Sequence, residues 1–459
     1  MFNKISRVAL ILVSVGALSS CHIYKKFDMP TDNAATAQYA EARDAESNSE
    51  AFGNLQWQDV FTDPALAKLI QQALDNNVDL QNAKLNIDVA HARLKGARLS
   101  YLPSVVFNPN GAGASYDHST INWTYQLPIA VSWEVDLFGK LLNSNRGAKA
   151  ALLQSEAYCQ AVRSQLIAGI ANCYYTIAML EKQLQISRQT AEYWNESVQV
   201  MKNLKLAGRV RETAVVQSEA NYYSILGSIT DLEVSLHEAQ NTLSLLLNTE
   251  PRTWDVPVGA TFVAPAIIRE GVPMRELASR PDVRAAEQSL AIAYYATNQA
   301  RSAFYPGVTL TSNGGFTNLL GSMIVNPGKW FIQLAGSLSA PLFARGQLIS
   351  NLEAAKAQQK QAMNNFEHTL MSASAEVSNA LVLFAKNSEK AELLVHQVEK
   401  LEKAVEYTEE LLTLDGSSTY LEVLTAQQSL LGAQISQVAC ENAKARAAIN
   451  LYQALGGGR

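Results

Sequence analysis

The chain has no apolar run that reaches the roughly 18 residues a membrane-spanning helix needs. Any passage through a bilayer must therefore use β-strands. Charge is scarce as well. Asp, Glu, Lys and Arg make up 17% of the 459 residues, against about 25% in ordinary soluble proteins. The formal net charge is -5 and no basic stripe is present, so the footprint of a nucleic-acid binder is absent. Chemical motifs are missing too: there is no nucleophile elbow, phosphate loop, paired-cysteine motif or HExxH. His22, His91, His118, His237, His368 and His396 are scattered without ligand spacing. No enzyme activity, metal site or soluble cofactor is expected.

Cysteine is sparse, with four in the chain. Cys159 and Cys173 are 14 positions apart on one expected helix, about 21 Å at 1.5 Å per residue and too far for a disulfide. Cys159, Cys173 and Cys440 are expected to be small buried hydrophobes. The fourth belongs to a targeting segment. Lys4 and Arg7 precede an apolar run from Val8 to Leu18, which is followed by Leu18-Ser19-Ser20-Cys21. This looks like a bacterial lipobox. Residues 1–20 read as a lipoprotein signal peptide, and Cys21 as the site of a diacylglyceryl and an acyl lipid. The alternative is an ordinary cleaved signal with an incidental cysteine. Residues 21–55 are polar and rich in Ala, Asn and Ser, as expected of an extended leader.

The rest is one pattern written twice. Leu74, Asp79, Ala83, Ala97, Arg98 and Pro103 recur 203 positions later as Leu277, Asp282, Ala286, Ala300, Arg301 and Pro306. Leu137-Phe138 recurs as Leu342-Phe343 at 205, and Gly208, Leu243 and Leu247 as Gly416, Leu451 and Leu455 at 208. Two repeats, residues 56–250 and 276–456, follow from this duplication. A proline-bearing linker over 251–275 joins them. Each repeat reads helix, two strands, long helix, tight turn, helix.

The first helix is expected from Asp63-Pro64, with Asp as N-cap and Pro in the first turn, to about Arg98. Its counterpart is expected from Arg280-Pro281-Asp282. Tyr101-Leu102-Pro103 and Phe304-Tyr305-Pro306 stop these helices. Over 147–205, Leu166, Ile170, Cys173, Ile177, Leu180, Leu184, Ser187, Ala191, Trp194, Val198 and Met201 step by 4 and 3. Phe366, Leu370, Ala373, Val377, Ala380, Phe384, Asn387, Ala391, Leu394, Val398 and Leu401 do so over 347–412. That is the seam of coiled-coil packing. Helices of this size run roughly 90–100 Å, three times a bilayer core of about 30 Å. A cylinder of antiparallel helices in an aqueous space is the expected arrangement.

From Trp123 to Leu137 the odd positions are apolar and the even positions mostly polar, the period of a strand with one face in each environment. Trp123 and Trp133 lie 10 residues apart on one face. At a tilt near 40° they would stand about 25 Å apart along a membrane normal, the spacing of aromatic girdles in an outer-membrane barrel. Trp330 joins the girdle on a second, weaker strand. Strands are expected over about 104–137 and 307–342, with Pro109 weakening the first and short outer loops near 117–122 and 318–329. Four strands cannot close a barrel, and an open edge in lipid leaves backbone groups unsatisfied. Two chains would give eight strands, and three would give twelve with room for a lumen.

The arrangement resembles the outer-membrane efflux protein family of the TolC/OprM type. The residues that carry this are Trp57, Phe61, Asp63-Pro64, Leu66, Ala73-Leu74, Asn77, Asp79-Leu80, Ala83, Arg280-Pro281-Asp282-Val283, Ala286-Glu287 and the Gly208 and Gly416 turns. The resemblance implies a homotrimer that is mainly α-helical. Its twelve-stranded outer-membrane β-barrel continues into a long periplasmic helical barrel. It implies docking to a periplasmic adaptor and an inner-membrane pump of the RND or ABC type. It also implies closure near the helix-turn tips, Leu204 to Arg209 and Leu412 to Ser417. Glu422 falls where the family carries an aperture acid. Ala214, Thr413, Ser418 and Thr425 depart from residues that other members use there. A ring of Glu422 would hold cations, whereas Arg209, Arg211 and Asp415 would form tip salt bridges or adaptor contacts. The competing readings are a coiled-coil lipoprotein adaptor or scaffold without a pore, and a receptor or adhesin, which would need larger outer loops.

Overall fold

A computed structural model describes residues 23–31, 34–44, 55–115, 117, 120–263, 274–320, 323–414 and 420–458. Cys21, the signal segment, Asp415 and Gly416 lie outside these residues. The chain is mostly helical. Among the described residues no helix is long and apolar enough to cross a membrane. Two compact units divide it: Met1–Asp32, Leu85–Ala157 and Arg284–Thr369 form one, and Asn33–Lys84, Tyr158–Val283 and Leu370–Arg459 the other.

The first unit holds one antiparallel sheet. Its strands are β1 Ser104–Phe107, β2 Asn110–Ala114, β3 Asn122–Val135, β4 Gly307–Leu320 and β5 Met323–Ser339, in the order β1-β3-β4-β5 with β2 also on β3. β1 and β2 are one strand interrupted at Asn108-Pro109, because Phe107 faces Ile129 and Asn110 faces Gln126 without a shift in register. Pro109 was expected to weaken this strand, and it does so by breaking it. The break sits beside Pro128, which has no N–H to donate. The Asn108 N–H donates to the Pro128 carbonyl at 3.3 Å. In an antiparallel ladder a residue's N–H and C=O point to the same neighbour. The missing donor of Pro128 therefore faces the interruption, where a proline costs least. On the other side of Pro128, a Cβ on Gly315 would stand 2.1 Å from the Leu127 carbonyl oxygen, so only glycine fits there.

Register sorts the side chains onto two faces. Leu127, Phe316 and Trp330 share a row, as do Val135, Val308 and Leu338. The opposite face carries Glu134, Thr309 and Ser337 in one row and Gln126, Thr317 and Lys329 in another. The stretch expected as an outer loop, 318–329, is largely strand. The reason is Asn318, at a register shift between Thr317 and Leu319. Its amide accepts the Tyr125 N–H at 2.6 Å and donates to the Trp123 carbonyl at 2.9 Å, so a side chain replaces the interrupted ladder.

The described start of the leader, residues 23–31, is seated on the first unit. Ile23 and Met29 are buried. The Ile23 carbonyl accepts from the Asn143 amide at 3.0 Å, the Tyr24 carbonyl accepts from Arg146 at 2.9 Å, and the Phe27 N–H donates to the Tyr295 hydroxyl at 3.1 Å. Further on, α1 spans Ala34–Asp44, a helix that polar composition alone did not suggest.

The second unit is helical, and several of the helices described next belong in part to each unit. After the short α2, Trp57–Val60, Asp63 caps α3, Pro64–Asn76. It accepts the Ala65 N–H at 2.8 Å, while its second oxygen accepts the Tyr174 hydroxyl at 2.7 Å. The single helix expected from Asp63 to Arg98 is broken at Asn77, which is extended with φ -63 and ψ 129. Asn77 caps the next helix, α4 Val78–Leu99, by accepting the Leu80 N–H at 3.0 Å. The counterpart of α7, Pro281–Ser302, is therefore α4 and not the helix that starts at Asp63; both have 22 residues.

The long helices are α5 Lys140–Leu206 and α8 Gln347–Leu414, with 67 and 68 residues. Their return helices are α6 Glu212–Leu246 and α9 Tyr420–Ala454. Every α5 seam position from Leu166 to Met201 is buried. On α8, Phe366, Leu370, Ala373, Val377, Ala380, Leu394 and Val398 are buried, and Phe384, Asn387, Ala391 and Leu401 are half-buried. Asn248 (φ 51) and Gly456 (φ 80) end the two return helices at equivalent positions. The Thr249 N–H closes onto the Ser244 carbonyl at 2.9 Å, and the Gly457 N–H onto the Tyr452 carbonyl at 3.0 Å. The linker packs on this unit: the Trp254 indole donates to the Ser244 hydroxyl at 2.8 Å, and the Gly259 N–H reaches the Ala178 carbonyl at 3.4 Å.

Candidate functional site

Two regions carry the residues singled out in the sequence. The first is the sheet. Trp123, Trp133 and Trp330 all lie on its apolar face and are exposed, at 69%, 40% and 62%. Exposed tryptophan, leucine, isoleucine and valine over a whole face is the pattern of a surface that meets something apolar. The Trp133 indole N–H donates to the Tyr101 carbonyl at 2.9 Å, which ties the strand end to the turn after α4. Trp330 faces Phe316 and Leu127, between the rows of Trp123 and Trp133 rather than in either. Glu134 and Lys329 are the charged residues among the described strand residues, and both lie on the polar face. Glu134 is paired with Lys140 at 2.8 Å.

The second region is the hairpin tip between α5 and α6. Gly208 has φ +72, which a Cβ would strain. The Gly208 N–H donates to the Lys205 carbonyl and the Arg209 N–H to the Leu204 carbonyl, both at 2.9 Å, so the helix end is fully closed. The ion pairs here are made by lysines. Lys205 pairs with Glu212, and Lys202 with Glu219 at 2.8 Å. The hydrogen bond to Glu219 holds the Lys202 ammonium above its ordinary range. Arg209 and Arg211, expected in tip salt bridges or adaptor contacts together with Asp415, are exposed and make no ion pair among the described residues, outside which Asp415 lies. They lie in the turn itself. Lys202 and Lys205 stand on the last turns of α5, and their partners Glu212 and Glu219 stand on the return helix α6.

Glu422 lies in the first turn of α9 and is exposed. The next two residues, Val423 and Leu424, are buried. Leu424 packs with Ala191, Trp194 and Ile225, against which Tyr222, Ile229, Tyr420 and Leu431 also lie. This cluster fixes the start of α9 against α5 and α6. Trp194 is its largest member and 1% exposed. The seam pattern marks Trp194 as buried but does not show that three helices meet on it. Among the described residues no group of three or more His, Cys, Asp or Glu could hold a metal ion.

A family model described as outer membrane efflux protein matches residues 69–249 and 272–457. The chain is 26% identical to the probable outer membrane lipoprotein SilC of Salmonella typhimurium over 464 residues, 99% of this chain and 98% of that one. It is 27% identical to the toluene efflux pump outer membrane protein TtgC of Pseudomonas putida over 468 residues, 98% and 95% of the two chains. The open state of the Neisseria gonorrhoeae MtrE outer membrane channel superposes with a TM-score of 0.78 at 27% identity, over 91% of this chain and 94% of that one.

Proposed function

The chain belongs to the outer membrane efflux protein family, and from that premise we propose that it is the outer-membrane channel of a tripartite efflux pump. Three copies close one twelve-stranded barrel, and their long hairpins form the conduit behind it. The two repeats, 56–250 and 276–456, supply equivalent parts of the wall, and the linker 251–275 joins them. A periplasmic adaptor and an inner-membrane pump of the RND or ABC type deliver cargo and supply the energy. The channel itself is a passive conduit. Family membership decides against the adaptor or scaffold reading.

The observation that carries this reading is the sheet. It has one apolar and one polar face, and among the described residues nothing pairs with the outer edges of β1 and β5. Each unsatisfied backbone group in lipid costs several kcal/mol, so closure needs further copies. Twelve strands leave a lumen where eight would be filled by side chains. The expected result is heat-modifiable migration on unboiled gels and stable conductance in planar bilayers. A monomeric, electrically silent protein would overturn the reading.

Cys21 is the lipid attachment site in this reading. Loss of the acyl mass in Cys21→Ala, read by intact-protein mass spectrometry, is the expected result, and an unchanged mass would remove it. Glu422 lines the periplasmic aperture together with Gly208, Gly416, Arg209 and Asp415, and three Glu422 carboxylates hold divalent cations there. Glu422→Gln should relieve divalent block of single-channel current, and undiminished block would take Glu422 out of the aperture.

A further inference from the structure

The seam between β3 and β4 joins the second strand of one repeat to the first strand of the other. It is therefore a pattern for any seam between β5 of one copy and β1 of the next. Inside the chain, Phe138, just past β3, stacks on Tyr305, just before β4, with ring centroids 4.9 Å apart and planes at 16°. The counterpart of Phe138 is Phe343, 86% exposed, and that of Tyr305 is Leu102, 61% exposed. The aromatic Phe half of the internal contact is thus repeated, the other half is replaced by a leucine, and both stand exposed at opposite edges of the sheet.

The duplication also carries the register across. Phe343 follows Phe138 by 205 positions, and Pro306 follows Pro103 by 203. Inside the chain Trp133 faces Leu310 and Glu134 faces Thr309. We infer that the seam between copies repeats this register, with Leu338 of one copy opposite Phe107 of the next and Ser339 opposite Val106. This rests on the trimeric reading above and specifies it residue by residue.

Two independent features agree with that register. It keeps the faces intact: Leu338 and Phe107 are both on the apolar face, and Ser339 and Val106 both on the other. A slip of one residue would turn a polar row into the lipid. It also matches sizes, because continuing it sets Leu334 opposite Gly111 and Ile332 opposite Gly113. The same complementarity holds within the chain, where Ile129 faces Gly314 and Trp123 faces Gly113. The interruption at Asn108-Pro109 inserts no residue, so the register runs through it.

The test uses the full-length acylated protein with Cys159 replaced by Ala. Val106→Cys with Ser339→Cys should oxidise to covalent dimers and trimers on non-reducing gels. Val106→Cys with Ser337→Cys or with Pro341→Cys, two residues out of register on the same face, should link at least about tenfold less. Preferential linking of either shifted pair overturns the register, and so does a trimer in which none of the pairs links. A protein that is monomeric by native mass spectrometry and silent in bilayers sinks the trimeric reading itself, which separates the two failures. Should the double variant not assemble, co-assembly of the two single-cysteine variants keeps the test: dimers are expected, and an assembled trimer without them overturns the register.

Discussion

The two repeats fasten their helices with the same geometry and opposite chemistry. At the base of each return helix, one side chain donates to the last helical carbonyls. In the first repeat Asn77 gives one amide hydrogen bond to the Leu246 carbonyl at 3.0 Å. At the equivalent place Arg280 donates to the Ala454 carbonyl at 2.5 Å and also pairs with Asp282 at 2.6 Å and Glu376 at 2.7 Å. At the tips the order is reversed. The first hairpin is closed by Lys202–Glu219 and Lys205–Glu212. In the second, the positions of these four residues hold Glu410, Gln427, Thr413 and Tyr420, and Gln427 donates to Glu409 at 2.8 Å. The ionic fastener is buried in one repeat and exposed in the other. Burial decides its worth: a buried cation that loses its partners costs far more than an exposed pair loses.

The largest effect should come from breaking the buried fastener. The Arg280 side chain is 6% exposed, while Asp282 and Glu376 are 43% and 55% exposed, so part of the pairing is screened. Arg280→Ala should destabilise by about 3 kcal/mol, whereas Asn77→Ala, the loss of a neutral cap, should cost about 1 kcal/mol. Chemical unfolding of both variants compares them. Equal losses would show that the ionic network adds nothing over an amide. The two helix ends give the next contrast. Gly456 and Asn248 share a left-handed backbone, but a Cβ on Gly456 would meet Pro281 at 3.2 Å and the Arg280 Cα at 3.3 Å. Gly456→Asn should therefore cost about 2 kcal/mol, from crowding and the left-handed strain. Asn248→Gly should stay within about 0.5 kcal/mol of the parent. A neutral Gly456→Asn would mean that the close approach relaxes freely.

These contrasts also mark what sequence could reveal. Periodicity exposes whatever depends on one face of one element. The α5 seam and the two faces of the sheet were legible for that reason, and the Asp63 cap and the Gly208 turn because each depends on one residue type at one helix end. What was hidden depends on a side chain standing in for backbone. Asn77 breaks a helix that its neighbours would continue, because its amide caps one helix and holds another at once. Asn318 extends a ladder through residues whose composition suggests a loop. The leader reads as a solvated tether because its few apolar residues, Ile23 and Met29, have no period. The backbone of Ile23, Tyr24 and Phe27 is held by Asn143, Arg146 and Tyr295, far away in sequence. The lysine bridges at the first tip were not legible, because a residue's closeness to the turn does not show in which direction its side chain leaves the helix.

The seams of the long helices differ in a way that pH can expose. On α5 the seam includes a thiol, Cys173, which donates to the Ala239 carbonyl at 3.2 Å. From Phe366 to Leu401 the α8 seam contains no titratable group. Burial pushes the Cys173 thiol from 9.0 up to about 11, because the thiolate would lose its hydration. The unfolded thiol ionises first. The stability this gives is complete below about pH 9 and is lost as pH rises through about 11, a change on the order of 2–3 kcal/mol. Cys173→Ala should flatten the alkaline decline of Tm by that amount. An unchanged decline would assign it to other groups, among them Cys440, whose thiol burial also pushes up, and Tyr175, pushed up to about 12 by burial.

The smallest effect belongs to the exposed tip pairs, and salt rather than mutation alone should reveal it. Lys202 and Glu219 are 46% and 36% exposed, and Lys205 and Glu212 are 45% and 60% exposed. Their attraction is therefore spread through water. Between about 0.01 M and 1 M salt the screening length falls from about 30 Å to about 3 Å. Hydrogen exchange at the first turn of α6 should quicken over that range by more than at the first turn of α9, which Leu424 holds against Trp194 and Ile225. Replacing both lysines by glutamine should leave the fold intact and abolish the salt response of the first hairpin. If both tips respond alike, the ion pairs are incidental to closing the hairpin. Both tips would then be held by the buried apolar cluster that they share, which salt strengthens rather than screens.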